Sequence, residues 1–176
     1  PAVTTQGLTD MAKRETMPNG VRFSLETRAA PATAKLRGVV RDIEDPNNLA
    51  EAGWGILFAR HCAPAIRQAL QPLVELRKKQ AGDLFKVFEG TSAPAPDELA
   101  VKWINRNGAT LDVVDPYNGV PYYLLLVGSP ESISFEFQYT LDIYWAVGRL
   151  YFPTPGEYAR YAASVVAYET APVVKT

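Results

Sequence analysis

His61 and Cys62 are the only histidine and the only cysteine of the chain, and they are neighbours. A thiol with an imidazole beside it can form a nucleophile and its base. Chain neighbours point in different directions, however, and the catalytic pairs of cysteine peptidases are assembled by the fold. The pair stands between a short apolar segment and the start of a helix, whose N-terminus should lower the Cys62 pKa. It is read as structural, with a small enzyme built on Cys62 as the alternative. One histidine and one cysteine leave almost no material for a metal site or a histidine-based triad. No catalytic residue, metal ligand or cofactor is therefore expected within the chain.

Other residues able to do chemistry cluster between Gly128 and Trp145. Ser129 follows an apolar run as a nucleophile-elbow serine would, but Gly128-Ser129-Pro130 lacks the G-x-S-x-G pattern. Glu131, Glu136 and Asp142 are three carboxylates that could do acid/base work or hold a cationic side chain. Asp142 is singled out as a substrate-binding candidate because Leu141, Ile143, Tyr144 and Trp145 surround it in sequence with apolar surface. Nucleotide binding is set aside: neither G-x-G-x-x-G nor G-x-x-x-x-G-K-[ST] occurs, and Gly53-Trp54-Gly55 is too short a match.

The elements that must position these groups can be read from periodicity. Residues 122–127, YYLLLV, are continuously apolar or aromatic between Pro121 and Gly128, which reads as a central strand buried on both faces. In open α/β sheets, ligands bind outside the carboxyl ends of such strands. Residues 53–59 and 84–88 read as further strands, and 146–150 as a short buried one. Residues 132–140 alternate well enough for a strand, with a helical turn as the other reading. Residues 64–79 form an amphipathic helix with Pro64 in its first turn and Pro72 placed to kink or split it. Residues 97–106 form a short helix with Leu99, Trp103 and Ile104 inward. Thr154-Pro155-Gly156-Glu157 is a capping box that opens a helix to about Glu169. Toward the N-terminus, 1–20 read as a flexible arm, 21–27 as a half-buried strand and 36–43 as a weaker strand. The alternation of strands and helices predicts an α/β layered domain over 21–176, with a mostly parallel sheet and flanking helices.

The 176 residues are 47% hydrophobic and 21% charged, with a net charge of -1. No basic surplus exists to drive nucleic-acid or anionic-membrane binding, and no apolar run approaches the length of a bilayer span. Neither partner is expected. A lone cysteine permits no internal disulfide, which points to the cytoplasm.

From Pro121 to Glu169 the sequence resembles the gingipain-like cysteine peptidases of the caspase-like clan and their bacterial relatives. The matching segments are YYLLLVG at 122–128, an aromatic stretch with an acid at Asp142, VGRL at 147–150, and TPGEYARYAASVVAYE at 154–169. The resemblance implies a caspase-like sandwich, here as a partial domain. It implies that the catalytic histidine and cysteine lie beyond the last helix, on a C-terminal segment of the same precursor. It also implies that Asp142, standing where such peptidases carry an acid of the specificity pocket, faces a basic residue of a protein or peptide substrate. Ser129 departs from the pattern, since many relatives have VGD where this chain has VGS. The expected function is the non-catalytic N-terminal part of such an endopeptidase, released by processing near Lys175. The rival is a catalytically inert, caspase-like interaction module.

Overall fold

A computed structural model describes residues 43–111 and 113–172, all within one compact unit, Leu36–Thr176. The expected arm and the strands at 21–27 and 36–43 lie outside the described residues, apart from the buried Ile43. The element order is α1 (Leu49–Ala52), β1 (Trp54–Phe58), α2 (Pro64–Ala81), a 3-10 turn (Gly82–Leu84), β2 (Phe85–Phe88), α3 (Ala100–Arg106), β3 (Tyr123–Val127), α4 (Phe135–Asp142), β4 (Ala146–Leu150) and α5 (Pro155–Thr170).

The four strands form an all-parallel sheet in the order β2-β1-β3-β4. Side chains alternate across each strand, and the two faces bury different sets. Trp54, Ile56, Phe58, Leu125 and Val127 pack against Leu70 and Leu73 of α2 and Tyr158 and Ala162 of α5. Leu57, Leu124 and Leu126 pack on the other side against Trp103 and Ile104 of α3 and Phe137 and Leu141 of α4. The chain is thus a three-layer α/β sandwich. This explains the unbroken apolar run of β3: a strand covered by helices on both faces has no solvent side on which to place polar residues.

The helices end where local chemistry dictates. Pro64 opens α2, its missing N–H costing nothing in a first turn. Pro72 sits inside α2, and of the two outcomes expected, a kink or a split, the split does not occur: the helix runs on to Ala81. Packing explains this: Leu70 and Leu73, on either side of the proline, are both anchored in the core. At α5, the Thr154 N–H and hydroxyl both donate to Glu157 Oε2, at 2.9 and 2.8 Å. Gly119 has φ +97°, and a Cβ there would overlap the Asn107 carbonyl oxygen, so only glycine closes this turn ahead of β3.

Three sequence expectations are corrected. Residues 132–140 do not form a strand. Ser134 instead caps α4, its Oγ accepting the Phe137 N–H at 3.1 Å, and the buried residues Phe137 and Leu141 are one helical turn apart. Leu99 is not inward: it is the N-cap of α3 and is 52% exposed, while Trp103 and Ile104 are fully buried. β4 stands where expected, but only Leu150 is buried, because β4 is the last strand of the sheet and has a neighbour on one side only.

Candidate functional site

The connection out of β1 leads to β2 on one side, whereas β3 joins β1 on the other. The loops that leave β1 and β3 therefore diverge, opening a crevice at the carboxyl ends of these strands. A cleft of 570 Å³ lies there. Residues 59–63 and Ile66 of α2 form one wall. Residues 127–129, Glu131 and Ser132, which follow β3, form another, and residues 151–153 after β4, with Tyr158 of α5, close the end. The floor continues the sheet, since the Ala59 N–H donates to Val127 O at 2.9 Å.

This cleft gathers groups that are scattered in the sequence. His61, Cys62, Ser129 and Glu131 all line it. Their bonding is not that of a nucleophile and base. Cys62 Sγ lies 3.8 Å from Ala63 O, its hydrogen-bond acceptor. Burial pushes the Cys62 thiol up, Arg67 pulling it weakly the other way and Glu89 adding to the rise. The direction is opposite to the expected lowering by the helix N-terminus: desolvation of a half-buried sulfur is the leading cause, and it favours the neutral thiol. Ser129 Oγ pairs with Ser132 Oγ at 2.9 Å rather than with the imidazole. Glu131 is held below the usual carboxylate range by the Ser129 hydroxyl, then by its own backbone N–H, with a weaker pull from Arg149. An ionised acid, a neutral thiol and two paired hydroxyls can bind, but they do not form an activated nucleophile.

The other acids stand elsewhere. Glu136 lies in the first turn of α4 and Asp142 at its last residue. Both are exposed, and neither lines the cleft. Helix α4 begins after the carboxyl end of β3 and leads to the start of β4. It therefore carries Asp142 to the opposite end of the sheet. Apolar neighbours in sequence do not enclose Asp142, because Leu141 and Trp145 turn into the core while Ile143 is 64% exposed.

Sequence reasoning overlooked Arg149. Its guanidinium donates to Gln138 Oε1 at 2.9 Å, Gly128 O at 3.1 Å and Ser134 O at 3.3 Å, and stacks over Phe135 at 5.3 Å. It ties β4 to the loop that forms the cleft wall. The signal was an arginine inside a five-residue apolar strand, a position that needs a dedicated set of acceptors.

A second cavity, of 500 Å³, is lined by Asn47, Asn48, Leu49, Trp54, Arg77, Gln80, Tyr123 and Glu169. Among the described residues, no group of three or more metal-ligating side chains is found, and no helix is long and apolar enough to cross a membrane. Comparison with protein-family models, with curated proteins and with solved structures returns no match.

Proposed function

We propose that this chain is the non-catalytic N-terminal portion of a gingipain-like cysteine endopeptidase of the caspase-like clan, acting in the cytoplasm. The observation that carries the reading is the outer edge of β4. Among the described residues no strand pairs with it, and an unpaired edge is a template for another chain. Beside it, Phe135 and Tyr139 of α4 and Ile143, its C-cap, recur every four residues and are 49%, 64% and 64% exposed. An open edge next to an apolar helical stripe suits a partner that adds a strand and packs a helix. Further support comes from the resembling segments, which fall on β3, β4 and α5 in turn.

On this reading the C-terminal segment of the precursor supplies cysteine and histidine, and its thiolate attacks the substrate carbonyl carbon. This chain supplies the sheet and a pocket wall. Asp142, exposed at the end of α4 beside Ile143, pairs with the arginine or lysine of a peptide substrate. Intact mass and terminal sequencing of the material that copurifies from the native gene provide the test. A second fragment bearing His and Cys is expected, with activity on Arg or Lys substrates that falls on Asp142→Ala. A chain isolated alone and inactive would sink the proposal.

The second reading, an inert interaction module, is favoured by one observation. Phe135 and Tyr139 stack at 5.9 Å with Arg149 against Phe135, an aromatic and cationic surface of the kind that anchors protein contacts.

A further inference from the structure

The cleft at the ends of β1 and β3 is apolar at depth and charged at its lips. Ala59 and Val127 form the floor, with Ile66 and Phe152 on the walls. Tyr158 closes one end and is 1% exposed. Its hydroxyl accepts the Phe152 N–H at 3.1 Å. A phenol also donates one proton, and among the described residues nothing accepts it. This leaves a buried donor at the apolar end of the cleft.

The lips carry opposite charges. Arg60 and His61 follow β1, and Glu131 follows β3. Among the described residues, neither Arg60 nor Glu131 forms an ion pair. Arg60 Nη2 reaches Ala93 O at 3.5 Å, leaving most of its donors unused. Glu131 keeps its charge, with the Ser129 hydroxyl as its principal partner. The volume falls within the range of roughly 300–1,000 Å³ typical of small-ligand sites.

We propose that this cleft binds an apolar α-amino-acid unit with a free ammonium group. The side chain fills the trough between Ile66, Val127 and Phe152. The ammonium pairs with Glu131. The carbonyl or carboxylate oxygens face the Arg60 and His61 lip. Two sources share this chemistry, a free amino acid and the first residue of a peptide. The site stands at the carboxyl ends of the strands, away from Asp142 and the outer edge of β4, so it does not depend on the peptidase reading.

Cys62 is a built-in reporter, since it lines the cleft and is half-buried. The test measures its alkylation by iodoacetamide, by mass spectrometry, with leucine, leucinamide or N-acetyl-leucine present. Leucine and leucinamide should slow alkylation and N-acetyl-leucine should not, because acetylation removes the ammonium charge. Stronger protection by leucinamide identifies a peptide N-terminus as the ligand, and stronger protection by leucine identifies the free amino acid. Glu131→Gln, at an exposed position, should weaken protection by at least about tenfold, the loss expected for a charged hydrogen bond, with the folded state retained by circular dichroism. Absence of protection by both amines, equal protection by N-acetyl-leucine, or full protection in Glu131→Gln would each overturn the proposal.

Discussion

Arg77 and Glu169 meet fork to fork across the contact between α2 and α5, with both N–H···O distances at 2.6 Å. Gln80 Nε2 adds a third bond to the same carboxylate at 3.0 Å, and the guanidinium lies 5.9 Å from the centre of the Trp54 ring. The pair joins residues 92 positions apart and pins the helical layer that covers one face of the sheet. The Arg77 hydrogen bond holds the Glu169 carboxyl below its ordinary range, opposed by burial. Glu169→Gln should cost about 1 kcal/mol at neutral pH, less than a buried charged pair because solvent reaches the site. The sign of the pH dependence follows from the lowered pKa. The stabilisation is complete above the unfolded carboxylate value, about 4.3, and is lost as pH falls through the folded value. Urea unfolding of wild type and Glu169→Gln should differ at pH 7 and converge in strong acid. A gap that persists in acid would show that the charge is not what Glu169 contributes.

Arg106 does for the loop after β2 what Arg77 does for the helices. Its Nε and Nη2 bond Glu98 at 2.7 and 2.9 Å, and its other donors reach Thr91 O at 2.9 Å and Ala93 O at 2.7 Å. A lysine has one compact charge and cannot span four acceptors in a plane. Arg106→Lys should lower stability by about 1–2 kcal/mol. The effect should concentrate in the loop, with faster amide hydrogen exchange at Ala95, whose N–H is held by Glu98 Oε2 at 2.8 Å. Unchanged exchange at Ala95 would mean that the loop is held by its own backbone.

How far the sequence could be read depended on how many faces each element buries. β1 and β3 are covered on both faces, so their apolar runs were visible without any alignment of register. α2 and α5 each lay one stripe on the sheet, and the helical period showed it. α4 was misread because Ile133, Phe135 and Phe137 alternate, and a window that short does not separate a period of two from one of 3.6. Phe135 belongs to the exposed stripe rather than the core, which no local pattern could reveal. The cleft was half legible. A strand ending at Gly128 pointed to the right end of the sheet, but that His61 and Cys62 share a cavity with Glu131 depends on strand order, which is a non-local property.

The cap that decided α4 against a strand gives a direct test. The Ser134 hydroxyl accepts the Phe137 N–H, while the Ser134 carbonyl, which accepts from Arg149 and from the Gln138 N–H, is kept in any side-chain variant. Ser134→Ala should destabilise by about 1 kcal/mol, and Ser134→Asp should restore most of it, because aspartate caps equally well. Chemical denaturation of the three proteins measures this. If Ser134→Asp is no better than Ser134→Ala, the hydroxyl matters through something other than capping.

Asp142 ends α4, and no basic residue shares that last turn. A carboxylate at a helix C-terminus faces the negative end of the helix dipole. Asp142→Asn should therefore raise stability by a few tenths of a kcal/mol at low ionic strength, with the gain fading as salt screens the interaction. The sign discriminates between roles. A gain on Asp142→Asn would mean that the acid costs its own helix stability, as a residue kept for a ligand can. Thermal unfolding of Asp142→Asn at low and high salt reads the sign directly. A loss of stability would instead give Asp142 a partner within the fold and remove it as the acid that meets a basic substrate side chain.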